Sequence, residues 1–312
     1  MEEERVSVVI PVYNGEKFIK KSIESALNQT YKNLEVVVIN DCSTDKTEEV
    51  IFKEFKNIIG SKIIYHKNEK NLERAKSRNK GVELSSGKYI FFLDADDLWE
   101  KKYVEKVIDI FKREDADIVY SFPRILVDEN DKIVRISKKN LPKDLGEIIF
   151  SSQIGYPTAT AIKKEKFLGY IDKYIPREDW EFFIRSYLNN LKIYIDDNKL
   201  VKIREHTGRT SSNKCFFYST MMVFNDYIEK VPEKYKGSFL LHMADISLRF
   251  GEFKKGIKFL KLALKEKPSL ILSKRNLLSI LKRLFRIDRM LGFNINTCPP
   301  TREDKYAKDM YI

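Results

Sequence analysis

The sequence predicts an α/β fold with a largely parallel sheet, followed by an all-α extension. Three observations carry this. Strand-like runs of β-branched and aromatic residues alternate with helical apolar spacing as far as Ser121. Polar, acid-rich clusters follow two of the runs directly, at Asn40 to Asp45 and Asp94 to Asp97. Beyond about Phe216 every periodic stretch has helical spacing.

The elements follow in order. Val6 to Val12 is a first strand, stopped by Tyr13-Asn14-Gly15. Phe18, Ile19, Ile23, Ala26 and Leu27 fall at helical spacing through about Gln29. Leu34 to Ile39 is a second strand, and a helix carrying Val50, Ile51 and Phe55 follows it. Lys62 to His66 is a third strand, Leu72 to Leu84 a helix and Lys88 to Leu93 a fourth strand. Trp99, Tyr103, Val107, Ile110 and Phe111 mark the next helix, and Asp117 to Ser121 a further strand. After Pro123 the pattern changes: Arg124 to Val127 and Lys132 to Ile136 read as a hairpin around Asp128-Glu129-Asn130-Asp131. A helix with Trp180, Phe182, Phe183, Ile184 and Tyr187 follows Pro176, and Lys199 to Ile203 is a last strand. The expected organisation is a catalytic domain over 1–215, with halves at about 1–122 and 123–215. A helical extension over 216–293 and a tail over 294–312 complete it.

Hydrophobic content of 43% and mean hydropathy of −0.41 describe a water-soluble globule. No run approaches the roughly 20 apolar residues of a membrane span. The acidic start, Met1-Glu2-Glu3-Glu4, lacks the basic and apolar regions of a secretory signal, so a cytoplasmic location is expected. Cys42, Cys215 and Cys298 are scattered and form no CxxC pair, which points to neither a disulfide framework nor a zinc site. The net charge of +12 is uneven. Residues 1–198 hold 34 Lys+Arg against 35 Asp+Glu, and residues 199–312 hold 24 against 11. A partner for the basic character belongs to the C-terminal third.

In an open parallel sheet, ligands bind at the carboxyl ends of the strands, so the architecture brings both acidic clusters towards one crevice. Asp94, Asp96 and Asp97 place three carboxylates within four positions, which repel one another unless a cation intervenes. Oxygen ligands of this kind suit Mg²⁺ or Mn²⁺ completed by phosphates and water. The alternative is a helix start, with Asp97 as the cap before Leu98-Trp99.

The order of motifs resembles the family 2 glycosyltransferases of the GT-A fold, a Rossmann-like nucleotide-diphospho-sugar transferase architecture. Val6 to Asn14 resembles their opening strand and turn, and Ser25 to Tyr31 their first helix end. Asn40 to Asp45 is similar to the "DDGSTD" loop, with Asn40 and Cys42 replacing Asp and Gly. Asn71, Ala75, Arg78 and Asn79 resemble "N-x-G-x-x-x-A-R-N", with Glu73 where Gly is common. Asp94-Ala95-Asp96 matches the DxD motif, Glu178 to Glu181 matches "EDWE", and Arg204 to His206 resembles "R-x-H". The resemblance covers about residues 5–212.

The resemblance implies an inverting, metal-dependent transfer of sugar from a nucleotide-diphosphate donor, a UDP-sugar, to a hydroxyl on a glycan or lipid-linked acceptor. Asp96 and His206 would hold a divalent cation, Mn²⁺ or Mg²⁺, with Asp94 and Ala95 beside the donor ribose. Pro11, Val12, Tyr13 and Asn14 would line the base pocket, and Asp41 would accept the uracil N3–H. Arg78, with Arg74 and Lys76, would neutralise phosphate. Asp179 would be the general base, with Glu178 and the Trp180 ring on the sugar side. A sugar nucleotidyltransferase is the competing enzyme class, but it calls for a Gly-rich phosphate loop where Tyr13-Asn14-Gly15-Glu16 stands. A catalytically inert basic scaffold, binding nucleic acid or membrane through residues 240–291, is the third reading; intact Asp94, Asp96 and Asp179 count against it.

In the extension, Gly251 to Pro268 resembles the second half of a single tetratricopeptide repeat, with Leu240 to Phe250 as its first helix. A lone repeat cannot bury its own faces. The next helix, Leu270 to Leu291, gathers Leu277, Leu278, Ile280, Leu281, Leu284, Phe285, Ile287 and Leu291 on one side and Arg275, Lys282, Arg283, Arg286 and Arg289 opposite. Either its apolar side caps the repeat and its charges face water, or it lies in an anionic membrane interface. A second copy of the chain is a further partner for the extension; nucleic acid is not among those expected.

Overall fold

The structure, a computed structural model, describes residues 3–205, 213–285, 287 and 295–297. The chain divides into two compact units. Met1–Asn140, Tyr156–Asp172 and Arg185–Thr207 form the first; Leu141–Gly155, Lys173–Ile184 and Gly208–Ile312 form the second.

In chain order the strands and α-helices are β1 (Val6–Val12), α1 (Ile19–Leu27), β2 (Leu34–Asn40), α2 (Thr47–Phe55), β3 (Ile63–Lys67), α3 (Glu73–Leu84), β4 (Tyr89–Phe92) and β5 (Leu98–Trp99). There follow α4 (Tyr103–Glu114), β6 (Ile118–Ser121), β7 (Ile125–Val127), β8 (Ile133–Ile136), α5 (Leu145–Phe150), β9 (Thr160–Lys163), α6 (Glu178–Leu188), β10 (Ile193–Asp196) and β11 (Val201–Arg204). The chain continues through α7 (Lys214–Tyr227), α8 (Glu233–Arg249), α9 (Phe253–Glu266) and α10 (Lys274–Leu284).

The first unit is built on a seven-stranded sheet ordered β10-β6-β9-β4-β1-β2-β3. Its pairs are parallel except where β9 runs antiparallel to both β4 and β6. The inner strands are buried along their length, which is why β1, β2 and β4 read as continuous apolar runs instead of alternating ones. Helix α3 lies against β1 so closely that a Cβ on Gly81 would stand 2.3 Å from Val9 Cγ1. A second sheet, β5-β11-β7-β8, joins the expected hairpin of β7 and β8 to β11.

Three departures from the sequence reading matter for the site. Trp99 sits in the two-residue strand β5 and not in a helix, because its backbone pairs with Val201 and its indole donates to the Thr158 carbonyl at 2.9 Å. Helix α4 starts at Tyr103, so Asp97 caps no helix. Strand β9, inserted between β6 and β4, carries Thr160-Ala161-Ile162-Lys163, too short a run to stand out.

In the second unit, α8 and α9 form a tight helical hairpin turned by Gly251 at φ +87°. A Cβ on Gly256 would come 2.6 Å from Leu248 Cγ, so the helices meet at the glycine. The segment expected as one helix from Leu270 is a 3₁₀ turn, Pro268–Leu272, followed by α10, whose Ser273 cap accepts from the Asn276 N–H. Cys215 is disulfide-bonded, which the scattered cysteines do not announce. Among the described residues no helix is long and apolar enough to cross a membrane.

Candidate active site

The strand register places the motifs. β1 pairs with β2 so that Val12 faces Asn40, and with β4 so that Val9 faces Phe92. The loops leaving β2, β1 and β4 therefore emerge side by side at one sheet edge.

The loops after β1 and β2 are bonded to each other. The Asn14 N–H donates to Ser43 Oγ at 3.0 Å, and Asn14 Oδ1 accepts from the Thr44 N–H at 2.8 Å. The Gly15 N–H donates to Thr47 Oγ1 at 2.8 Å. Asn14 is left-handed, at φ +52°, a conformation asparagine tolerates. Tyr13 is left standing out, 49% exposed, beside the β1 exit. Asp41 is buried; its Oδ1 accepts from Asn68 Nδ2 at 2.7 Å and from the Leu72 N–H at 2.8 Å. Asp41 Oδ2 has no hydrogen bond among the described residues, which leaves one acceptor atom for a ring N–H.

The acid loop after β4 is held from three sides. The Asp94 N–H donates to Thr158 Oγ1 at 2.9 Å, and the same hydroxyl donates to Asp97 Oδ2 at 2.6 Å. The Arg204 N–H donates to Asp97 Oδ1 at 2.9 Å, and Arg204 Nε to the Asp96 carbonyl at 2.7 Å. Ser22 Oγ lies 2.8 Å from the Ala95 carbonyl. The Arg204 guanidinium is fully enclosed, stacked over Phe18 and bonded to Asp131 and the Asp128 carbonyl. Arg78 is also enclosed, at 2% exposure, and its Nη2 donates to Asp94 Oδ1 at 2.7 Å. The structure thus makes Arg78 the internal counter-ion of Asp94, where the sequence reading had it facing phosphate. Lys76 pairs with Asp172 at 2.9 Å.

Burial pushes the Asp97 carboxyl well above the usual carboxylate range, with the charges of Asp96 and Asp94 adding to the effect. Asp97 is accordingly a buried structural tie. Asp94 and Asp96 are half-buried. Among the described residues no three His, Cys, Asp or Glu side chains form a ready metal cage. The half-buried carboxylates of Asp94 and Asp96 have the chemistry of ligands for an ion that substrate phosphates complete, the usual habit of Mg²⁺. His206, expected beside Asp96, lies outside the described residues.

The EDWE motif begins α6, in the second unit. Trp180 has no exposed surface: its indole donates to the Ile149 carbonyl at 2.8 Å, and Arg177, Phe239 and His242 cover the ring. It therefore offers no face to a sugar, which corrects the sequence reading. Glu178 and Glu181 are buried too, and the Tyr227 hydroxyl donates to Glu181. Asp179 is the motif member that keeps solvent contact. It lies in the first helical turn, where the dipole favours negative charge, with its Oδ1 2.6 Å from the Trp180 N–H. A Cβ on Gly155 would stand 3.2 Å from Asp179 Oδ2, so a bare backbone leaves room beside this oxygen.

A model of the family described as "Glycosyl transferase family 2" matches residues 7–173. The chain belongs to this family. As a family 2 glycosyltransferase it is an enzyme of the transferase class. An uncharacterized glycosyltransferase of Methanocaldococcus jannaschii is 34% identical, over 71% of this chain and 79% of the relative. A UDP-Glc:alpha-D-GlcNAc-diphosphoundecaprenol beta-1,3-glucosyltransferase of Escherichia coli is 29% identical, over 68% and 81%. Among solved structures, the mannosyltransferase PcManGT from Pyrobaculum calidifontis, in complex with GDP-Man and Mn²⁺, superposes with TM-score 0.62 at 16% identity, over 92% of this chain and 86% of that one. The last likeness is one of fold.

The two places where this family 2 chain departs from the motif glycines share one conformation. Cys42 has φ +62° and Glu73 φ +70°, the left-handed region where glycine carries no steric penalty. The Glu73 N–H donates to Asn71 Oδ1 at 3.0 Å, a local bond that helps hold the turn. Sequence reasoning missed Thr158 as a site residue and gave Arg204 no role of its own. Nothing in a lone Thr before a short strand signals a shared hydroxyl, and Arg204, 107 residues beyond Asp97, comes near the acid loop only in the fold. A cavity of about 340 Å³ in the second unit, between Glu147, His242, Asp245, Lys267 and Asn276, is lined by groups largely bonded to one another.

Proposed function

We propose that this transferase moves a sugar from a UDP-sugar to a hydroxyl of a glycan or lipid-linked acceptor, with inversion at the anomeric carbon. One observation carries the reading: three adjacent strands deliver the Asp41 loop, the Tyr13-Asn14 turn and the Asp94–Asp97 loop to a single edge. Asp41 Oδ2 accepts the uracil N3–H, and Pro11, Val12 and Tyr13 lie along the base. Asp94, oriented by Arg78, meets the ribose, with Ala95 beside it. Asp96 would hold a divalent cation, Mn²⁺ or Mg²⁺, which when bound would supply positive charge beside the diphosphate. Asp179 takes the proton from the acceptor hydroxyl as its oxygen bonds to the anomeric carbon, and the bond to the β-phosphate oxygen breaks with its electron pair leaving on UDP. One carboxylate base suffices for inversion, without a covalent intermediate.

The Escherichia coli relative's name supports a UDP-sugar and a diphosphoundecaprenol acceptor, and the Pyrobaculum neighbour's Mn²⁺ supports the cation. Calorimetric titration with UDP tests the reading. Binding should need Mn²⁺ and disappear in Asp96→Ala. UDP binding of equal strength in chelator and in the variant would overturn the metal role.

A further inference from the structure

Helix α10 is docked the opposite way round from its amphipathic pattern. Ser279 Oγ donates to Asp245 Oδ1 of α8 at 2.6 Å, Arg283 Nε reaches the same oxygen at 3.3 Å, and Asn276 Nδ2 donates to the Leu270 carbonyl at 3.0 Å. Polar residues, with Ile280, thus form the inward side. Leu277, Leu278, Leu281, Leu284 and Phe285, which helical spacing puts on one face, are left exposed, Phe285 by 70%. Leu272, just before the helix, is 82% exposed. A row of this size in contact with water marks a surface that meets something else.

The charge around it says what. From Lys267 to Ile287 the sequence holds six Lys+Arg and no Asp or Glu. On α9, the preceding helix along the chain, Lys254, Lys258, Lys261 and Lys265 recur at i, i+4, i+7 and i+11 and are all exposed. Residues 199–312 carry 24 basic against 11 acidic groups, so two copies meeting through this region would repel each other. An apolar helical face in a stretch that carries six basic and no acidic residues between Glu266 and Asp288 matches the headgroup zone of an anionic bilayer. We infer that α10 lies in the surface of an anionic lipid membrane, with its leucine row among the acyl chains and the lysines of α9 and α10 near the lipid phosphates. The inference rests on the surface alone and not on the sugar-transfer reading.

Co-sedimentation of the full chain with vesicles, without donor or acceptor, tests it. Vesicles of phosphatidylcholine with about one third phosphatidylglycerol should retain the protein, and pure phosphatidylcholine should retain about tenfold less. Leu278→Glu/Phe285→Glu, two exposed positions, should release it from the anionic vesicles while far-UV circular dichroism and the unfolding midpoint stay as in the wild type. A second variant, Lys254→Glu/Lys258→Glu, should weaken binding and flatten its salt dependence. Absence of vesicle binding, or binding untouched by the first variant, would overturn the inference. A dimer in solution that the first variant splits, with no vesicle binding, would assign the face to a second copy instead.

Discussion

Arg78 Nη2 lies 2.7 Å from Asp94 Oδ1, and the guanidinium is enclosed while the carboxylate keeps 28% of its side-chain surface. The cation also sits 5.5 Å from the centroid of the Tyr170 ring. Removing it strands a half-buried carboxylate beside Asp96 and Asp97. Arg78→Met should lower stability by about 2 kcal/mol, read from urea unfolding. It should also weaken UDP binding through the misplaced loop. A variant as stable as the wild type would contradict the counter-ion role.

Thr158 Oγ1 ties the Asp94 N–H to Asp97 Oδ2. Thr158→Val keeps the shape and removes both bonds. A loss of about 1–2 kcal/mol is expected in denaturant unfolding. Thr158→Ser, which keeps the hydroxyl, should recover much of it. Equal stability of the Val and Ser variants would show that the hydroxyl bridge contributes nothing.

Cys42 and Glu73 hold left-handed conformations that glycine adopts without strain. Cys42→Gly and Glu73→Gly should each stabilise the fold by about 0.5–1 kcal/mol, the relief of Cβ crowding exceeding the extra chain entropy of glycine. Differential unfolding measures this directly. Destabilisation in both variants would mean that the side chains matter more than the backbone.

The sequence made the scaffold legible where burial is complete. Strands β1, β2 and β4, covered on both faces, show as unbroken apolar runs, and the helices between them keep their spacing. β9 escaped because a four-residue strand buried between β6 and β4 leaves no periodicity to read, and Trp99 because an aromatic residue suits either element. In the site, Asp41, Asp94 and Asp96 stood out as acids at strand ends. Trp180 and Glu178 were misjudged since a motif fixes positions in the chain and says nothing about which members face inward. For α10 the wheel separated the two faces except at Ile280, which turns inward with the polar side. Which one turns inward was decided by Asp245, 34 residues before Ser279 and invisible to local spacing.

Asp144 caps α5, accepting from the Glu147 N–H at 3.1 Å, with Lys234 at 2.8 Å. Burial raises its carboxyl, but the Lys234 and Tyr235 side chains and the Glu147 N–H outweigh that and bring it down to about 2. A depressed folded value means stability that is complete above the unfolded value, about 4, and is lost as pH falls towards 2. Asp144→Ala should therefore be less stable than wild type by about 1 kcal/mol at pH 6, with the gap closing between about pH 4 and pH 2. A gap independent of pH would contradict the assignment.

Asp179→Asn tests the central claim most directly, since it removes the proposed base and leaves the Asp41, Asp94 and Asp96 loops untouched. Transfer from a UDP-sugar, followed under single turnover with Mn²⁺ present, should fall by about two to four orders of magnitude while UDP affinity measured on the same sample stays within about twofold. Turnover at the wild-type rate in this variant would contradict the account.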